Sequence, residues 1–233
     1  VFDSEPGSVV IPNPNLEAEY AYNVDLNVAK MFGKSVKVDV STYYTLLDNA
    51  LVRRDFTLNG ASEIVYDGEL SQVQAIQNAA KANVYGIQAG VEVKLPTGFR
   101  FSTDLNFQKG EEELDNGDKS PSRHAAPFFG ISRVGYANSK VDLELNFQFS
   151  DKVAFKDLAE EEKGKKEIYA RDRNGNPYSP SWYTLNLKSM YKLTENFTLT
   201  AGIENITDQR YRPYSSGIVA PGKNIILAVR ATL

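Results

Sequence analysis

Arginine and aromatic side chains gather in two polar segments near the end of the chain, at residues 156–180 and 207–222. Such side chains can hold an anionic, planar or glycan ligand through charge-assisted hydrogen bonds and ring stacking. We therefore predict a binding surface there, with these candidate contacts: Tyr169, Arg171, Arg173, Tyr178, Trp182, Arg212 and Tyr214. The alternatives are that the arginines are solvated and that Trp182 and Tyr183 belong to an interfacial aromatic belt.

Three further basic residues are weaker candidates. Arg53 and Arg54 follow a predicted strand and can contact lipopolysaccharide phosphates or a ligand, but solvation is the favoured interpretation. His124, the one histidine, can ligate haem iron or a metal, although a lone histidine without a partner motif is more often ordinary. The acidic run Glu111–Glu113 lacks the spacing of a calcium loop. The sequence predicts no metal site and no cofactor.

The composition argues against an enzyme. The chain has no cysteine, which excludes disulfides and thiol-ligated metals. Its single histidine accompanies no recognisable nucleophile motif, so hydrolysis of the serine–histidine type is unsupported. The 26 basic and 30 acidic residues give a net charge of −4 without a basic block, which argues against a nucleic-acid partner.

Nine segments alternate apolar and polar residues with a period of two, the pattern of a strand with one apolar and one polar face. The fifth segment is the weakest, because Arg133 interrupts its pattern. Carboxylates on the polar faces, such as Asp104 and Glu144, are expected to pair with a plug or with neighbouring strands. The predicted strands span about residues 16–31, 36–51, 71–95, 99–108, 128–137, 140–155, 183–191, 197–203 and 224–233.

The connections alternate strictly between tight turns at one end and long polar loops at the other. After the second strand, Asn59-Gly60 and Asp67-Gly68 predict hairpin-type turns. Outer-membrane barrels have short periplasmic turns and long external loops, and their strands need about 9–11 residues. The predicted fold class is therefore all-β, an antiparallel up-and-down transmembrane β-barrel. Nine strands leave two long unpaired edges, which lipid does not tolerate, so we expect a larger barrel.

Three short motifs then carry a family resemblance. Residues 13–19 (NPNLEAE) resemble the "NPNL-x-x-E" opening of a late barrel strand in TonB-dependent outer-membrane receptors. Residues 201–211 resemble their "G-x-x-N-L-x-D-x-x-Y" signature, and residues 221–224 resemble the "P-G-R-x" that opens their last strand. The resemblance implies structural roles for Asn13, Pro14, Asn15, Leu16, Glu19, Gly202, Asn205, Asp208, Tyr211, Pro221 and Gly222.

The resemblance also implies a barrel of about 22 strands filled by an N-terminal plug domain. Residues 1–233 would then be the C-terminal portion of that barrel, with the plug domain and the earlier strands absent from this chain. Such receptors lie in the outer membrane of Gram-negative bacteria. They import a bulky nutrient of the siderophore-iron, haem, cobalamin or glycan class with energy from TonB. One departure is Leu233, because family members commonly end in an aromatic residue.

The implied partners are the receptor's own plug domain and remaining strands, the TonB complex, lipid with lipopolysaccharide, and the nutrient. Two other interpretations stay open at this point. A porin-like channel or an adhesion barrel would share the strand pattern without a plug. A soluble secreted β-protein that binds glycans would be stable without an exposed apolar band.

Overall fold

The computed structural model describes residues 3–5, 7–113, 117–122, 125–165 and 167–232, most of which form β-strands. The strands are β1 (Asp3–Glu5), β2 (Ser8–Ile11), β3 (Tyr20–Phe32), β4 (Val36–Asp55), β5 (Glu63–Tyr66), β6 (Glu69–Lys94), β7 (Phe99–Glu113), β8 (Lys119–Pro121), β9 (Phe129–Ala137), β10 (Val141–Ser150), β11 (Ala170–Arg171), β12 (Pro177–Tyr178), β13 (Trp182–Lys192), β14 (Phe197–Glu204) and β15 (Asn224–Ala231). Between β10 and β11 lie a 3-10 turn (Phe155–Asp157) and a short helix, α1 (Glu160–Lys163). Among the described helices, none has the length and apolar character to cross a membrane.

The chain divides into two compact units, and the first comprises the described residues of 1–24, 45–84 and 111–120. In this unit β2 pairs in parallel with β6, while β1 pairs with β2 and β5 with β6 in antiparallel fashion. Val9 and Ile11 of β2 and Val73 and Ala75 of β6 are buried together and form its small core. Burial of these apolar side chains stabilises the unit.

Two tight turns of the first unit are formed by Asn59-Gly60 and Asp67-Gly68, which have φ angles of 53°, 83°, 51° and 84°. Positive φ is the left-handed region that Gly, Asn and Asp adopt at the lowest cost. Asp67-Gly68 is the two-residue loop that joins β5 to β6. Both hairpin-type turns expected from the sequence are therefore confirmed.

The second unit comprises the described residues of 25–44, 85–110 and 121–232. The long strands follow the order β3, β4, β6, β7, β9, β10, β13, β14, β15, and the neighbours from β7 onward are antiparallel. These nine strands are the nine expected from the sequence. The prediction of an all-β fold is confirmed, with a mostly antiparallel sheet whose long strands follow chain order.

One face of this sheet is apolar and exposed. A single row of aligned residues crosses six strands: Phe101, Val134, Leu145, Leu187, Ile203 and Ile225. Each of these side chains is between 36% and 68% exposed. A continuous apolar surface of this width is typical of a face that contacts lipid, because soluble proteins rarely expose one.

The other face is polar and held by ion pairs between strands. Arg133 contacts Asp104 at 2.6 Å, and Arg100 contacts Asp142 at 2.6 Å and Glu144 at 3.4 Å. Arg133 therefore lies on the polar face and keeps the alternation of the fifth strand, which is broken instead by Ser132 on the apolar face and Ile131 on the polar face. Asp104 pairs with the neighbouring strand β9 as expected, whereas the partner of Glu144 lies on β7, beyond β9.

Several predicted strand ends were wrong, chiefly toward the long loops. β4 and β7 continue to Asp55 and Glu113, so the predicted loop 109–127 starts later and contains β8. β10 ends at Ser150, well before Phe155, and the predicted loop 156–180 contains α1 and the β11–β12 pair. The strand portions beyond the apolar row carry polar residues on both faces. The period-two signal disappears there although the backbone stays extended.

Candidate ligand-binding site

A cavity of about 300 Å³ lies between the two loops that carry most of the candidate ligand residues. The connection from β10 to β13 supplies one wall, and the connection from β14 to β15 supplies the other. The lining residues are Ile168, Tyr169, Ala170, Ser179, Pro180, Ser181, Arg210, Tyr211, Arg212, Pro213 and Val219. The structure therefore brings Tyr169 and Arg212, both sequence candidates, to one site, together with Arg210.

The second of these loops is organised around Asn205, which is buried and has a φ of 46°. Its side-chain nitrogen donates to the carbonyl oxygens of Gln209 at 2.9 Å and Pro221 at 3.1 Å. Its side-chain oxygen accepts the backbone N–H of Gln209 at 3.0 Å. One side chain thus closes both ends of the loop, which accounts for an asparagine at this motif position.

Asp208 and Tyr211 complete the packing of the same motif. The Asp208 carboxylate accepts the backbone N–H of Lys223 at 2.7 Å, and a Cβ at Gly222 would lie only 2.8 Å from that oxygen. Tyr211 stacks on Trp182 with ring centroids 4.2 Å apart. Burial raises the pKa of the Tyr211 hydroxyl. Gly202 is not crowded, because the nearest atom to a Cβ added there would be 3.4 Å away.

Trp182 and Tyr183 lie on opposite faces of β13. Trp182 is aligned with Ser150 on the polar face, whereas Tyr183 is aligned with Phe149 on the apolar face. Tyr183 packs 5.7 Å from the ring of Phe147 and fits the aromatic-belt interpretation. The ring of Trp182 stacks instead on Tyr211 of the loop between β14 and β15.

Arg212 lines the cavity together with Arg210. Its Nη1 donates to the carbonyl oxygen of Glu167 at 3.0 Å. Its Nε is buried and has no hydrogen-bond acceptor among the residues that the structure describes. Tyr169 donates a hydrogen bond to Glu162. The pKa of Tyr169 is strongly raised, mainly by burial and to a smaller extent by this hydrogen bond and the negative charge of Glu162. The cavity therefore presents neutral phenols and positive guanidinium groups at neutral pH.

The other loop candidates lie elsewhere. Arg171 donates to the carbonyl oxygen of Gly175 at 2.9 Å within the β11–β12 hairpin, and Arg173 is exposed at its tip. Tyr178 is half-buried on β12. Tyr214, with Trp182, lines a larger cavity of about 660 Å³ on the polar face of the sheet.

The two arginines of the first unit are half-buried and bonded rather than solvated. Arg53 donates to the side chains of Gln74 at 2.7 Å and Ser8 at 3.0 Å. Arg54 donates to the carbonyl oxygen of Glu113 at 2.8 Å. Both side chains hold strands of that unit together. His124 and Leu233 lie outside the described residues.

The first motif lies in the same unit and makes local bonds. Asn13 donates to the carbonyl oxygen of Ile76 at 3.0 Å and accepts the backbone N–H of Asn15 at 3.0 Å. Glu19 accepts the backbone N–H of Leu51 at 2.8 Å. Pro14 occupies the turn between these contacts, and Leu16 is exposed. The motif fastens the start of β3 to β4 and β6.

Glu162 and Asn186 give no usable signal in the sequence as ligands or anchors, and for Arg210 the sequence favours packing over ligand binding. Arg210 borders the cavity but sits inside a motif interpreted as structural. Glu162 lies within an acidic run that looks solvated, yet it is completely buried. Asn186 stands at a polar-face position of its strand, and the period-two pattern does not distinguish a buried amide there from a solvated one.

Comparison with known proteins places this architecture in a family. Residues 2–206 match the family described as TonB dependent receptor-like, beta-barrel. The chain belongs to that family, whose members are non-enzymatic outer-membrane proteins of Gram-negative bacteria. The predicted family, outer-membrane location and non-enzymatic character are confirmed.

The chain is also similar to individual proteins. It is 25% identical over 224 residues to hemoglobin-haptoglobin-binding protein A of Haemophilus influenzae, covering 91% of this chain and 20% of that protein. The copper transporter OprC matches with a TM-score of 0.69 at 16% identity, covering 94% of this chain and 32% of its own. The FrpB iron transporter of Neisseria meningitidis matches with a TM-score of 0.66 at 14% identity, and the match covers 96% of this chain and 33% of the transporter chain. A ferric enterobactin receptor mutant of Pseudomonas aeruginosa matches with a TM-score of 0.69 at 15% identity, and the match covers 96% of this chain and 32% of the receptor chain.

The chain thus spans about a fifth of the curated relative and about a third of each of these solved receptors. The structural matches establish the fold as part of a receptor barrel. The ligands named for these proteins differ from one to the next, so the ligand of this chain must be inferred from its own residues.

Proposed function

We propose that this chain is the C-terminal portion of the barrel of a TonB-dependent receptor that imports an anionic, ring-bearing iron chelate or haem. The observation that carries the proposal is the pair of arginines, Arg210 and Arg212, that line the cavity between the two loops beside Tyr169 and Tyr211. Ligand oxygens in the cavity would accept charge-assisted hydrogen bonds from guanidinium groups, each worth about 1.5–3 kcal/mol.

The neighbouring side chains suit a ligand with conjugated rings. Tyr169 and Tyr211 line the same cavity, and Trp182 extends the aromatic surface by stacking on Tyr211. Aromatic faces beside guanidinium groups bind flat, negatively charged molecules through stacking and charge-assisted bonds. A catecholate siderophore complex and haem both have this chemistry.

The same lining disfavours other cargoes of related receptors. Among the described residues around the cavity there is no histidine or methionine, the side chains that soft copper ions prefer. Neutral glycans would leave Arg210 and Arg212 without a negative partner, and cobalamin would offer them only its single phosphodiester. Siderophore-iron and haem are therefore favoured over copper, glycan and cobalamin.

The rest of the receptor belongs to the proposal as well. We expect a plug domain and further strands to complete the barrel, and TonB to supply the energy. The family match and the coverage of about a third of solved receptors support this arrangement. Lipopolysaccharide is the expected neighbour of the apolar face at the loop end.

Uptake by the intact receptor that contains this chain tests the proposal. The receptor is produced in a Gram-negative host lacking its own siderophore and haem receptors. Uptake of a radiolabelled ferric catecholate, of haemin, of copper and of cyanocobalamin is compared with and without TonB. We expect TonB-dependent uptake of the first or second probe.

The matched variants are Arg212→Gln and Arg173→Gln, since Arg173 is an exposed arginine of the facing loop. We expect Arg212→Gln to lower the affinity about tenfold or more, as the loss of a charged hydrogen bond would, and Arg173→Gln to leave it unchanged. Uptake of copper or cyanocobalamin alone, or equal effects of the two variants, would contradict the proposed ligand class.

A further inference from the structure

A buried carboxylate joins the two loops that form the arginine cavity. Glu162, on α1, is 0% exposed. Its Oε1 accepts Lys165 Nζ at 2.8 Å and the hydroxyl of Ser215 at 3.2 Å, and its Oε2 accepts the hydroxyl of Tyr169. Lys165 and Tyr169 belong to the same loop as Glu162, whereas Ser215 belongs to the loop between β14 and β15.

This contact lies beside the cavity rather than at a distance from it. Tyr169, which binds Glu162, also lines the cavity. A second link joins the same loops, because Arg212 donates to the carbonyl oxygen of Glu167 at 3.0 Å. The backbone of Ser215 also bonds to the Tyr169 hydroxyl, so the contacts of Glu162, Tyr169 and Arg212 together help to set the position of one cavity wall relative to the other.

The cost of burying a carboxylate makes Glu162 dependent on the donors around it. A carboxylate removed from water is stable only when its lone pairs are occupied, and here the donors include Lys165, Tyr169 and Ser215. Ser215 reaches Glu162 from a backbone with φ of 59°, a strained conformation for serine. Such strain persists where surrounding contacts hold it in place.

We infer that Glu162 is a positioning residue that holds the β10–β13 loop against the β14–β15 loop and so keeps the arginine cavity assembled. The inference rests on the proposed function only for the importance of that cavity, because the link between the loops is independent of any ligand. Glu162 does not touch the ligand in this scheme. It acts through Tyr169 and Ser215.

The test is limited trypsin digestion of the intact receptor in outer membranes, with cleavage after Lys165 as the readout and cleavage after exposed Arg173 as the internal reference. Opening of the loops exposes the half-buried Lys165. We expect Glu162→Gln and Ser215→Ala each to raise cleavage after Lys165 about tenfold, as loss of one buried hydrogen bond would. Glu167→Gln is the matched control, since its side chain is exposed and its carbonyl contact is retained.

A paired-cysteine variant separates positioning from a general role in folding. In Glu162→Cys with Ser215→Cys, a short bifunctional methanethiosulfonate cross-linker, which spans more than a direct disulfide can, should restore slow cleavage without any carboxylate, and reduction should abolish the protection. Slow cleavage after Lys165 in both single variants, or fast cleavage of the double variant once mass spectrometry shows that it is cross-linked, would overturn the inference. Binding of a ferric catecholate is measured in parallel as a separate test of the proposed function. If the loops are protected from cleavage but the chelate does not bind, the proposed ligand class is contradicted and the positioning role of Glu162 is not.

Discussion

The backbone N–H of Asn205 donates a 2.7 Å hydrogen bond to the side-chain oxygen of Asn186, whose nitrogen donates in turn to Asn146 at 2.7 Å. The three asparagines are 4%, 7% and 3% exposed. They link β10, β13 and the residue after β14 in one buried chain of amides. The sheet therefore fixes the start of the loop that carries Tyr211 and Arg212.

Replacement of Asn205 should loosen this loop and destabilise the barrel. Asn205→Ala removes two donated bonds and one accepted backbone bond, and it forces alanine into a left-handed conformation. We expect a loss of about 2–4 kcal/mol in the free energy of unfolding, since buried groups are left unpaired. Urea-dependent unfolding in lipid bilayers measures it.

One further variant separates the loss of the side-chain bonds from the backbone strain, and another serves as a control. Asn205→Gly keeps the backbone conformation at low cost, so any remaining loss reports the side-chain bonds. Asn174→Ala, at an exposed hairpin tip, is the matched control and should change stability by less than about 0.5 kcal/mol. A stable Asn205→Ala protein would show that the loop is held elsewhere.

The strands were predictable because lipid on one side and a polar interior on the other impose a period of two. The row from Phe101 to Ile225 shows that pattern directly in the sequence. The cavity was only partly predictable. Trp182 and Arg212 were found by residue type, but the burial of Glu162 depends on Ser215, 53 residues later, and no local pattern encodes that contact.

A glycine opposite Arg100 makes room for its ion pairs. A Cβ at Gly135 would lie 2.5 Å from Arg100 Nε. Gly135→Ala should push the guanidinium away from Asp142 and Glu144 and cost about 1–3 kcal/mol, in the range of overpacked sites. The measurement is again urea-dependent unfolding in bilayers.

Gly202→Ala is the control for this prediction, because the nearest atom to its added Cβ is 3.4 Å away. The cost of Gly135→Ala should also shrink when Arg100 is first replaced by alanine, since the two residues are in contact. Equal costs with and without Arg100 would show that the guanidinium is not the obstacle.

Asp172 should make the β11–β12 hairpin sensitive to acid. Backbone N–H groups of Asn176 and Asn174 donate to its carboxylate at 2.8 Å each. Both bonds lower the pKa of Asp172 below its ordinary value of 3.8, and the bond from Asn176 has the larger effect. The depressed pKa means that the carboxylate supports the turn above the unfolded pKa and that this support is lost as the pH falls through the folded pKa.

A carbon-13 NMR titration of the Asp172 carboxyl group in the detergent-solubilised protein checks this. We expect a midpoint below 3.8 in the folded protein and a return to the ordinary value in urea. Asp172→Asn should make the hairpin amides insensitive to pH in that range. A midpoint at or above the ordinary value would mean that the turn bonds do not favour the charged carboxylate.

The apolar row predicts which face of the sheet tolerates a charge. Leu145 lies near the middle of β10 and is 41% exposed on the apolar face, whereas Gln148 of the same strand lies on the polar face. Leu145→Arg should cost about 2–4 kcal/mol in a bilayer, as arginine does near the midplane of membrane barrels. Gln148→Arg should cost less than about 1 kcal/mol, because that face is already polar and carries Arg133 and Asp104.

Unfolding of both variants in urea, in bilayers and in short-chain detergent, separates burial in lipid from simple loss of packing. The penalty for Leu145→Arg should fall in detergent micelles, which deform around a charge more readily than a bilayer does, and the Gln148→Arg value should stay constant. Similar penalties for the two variants in bilayers would contradict the assignment of the row from Phe101 to Ile225 as the lipid-facing surface.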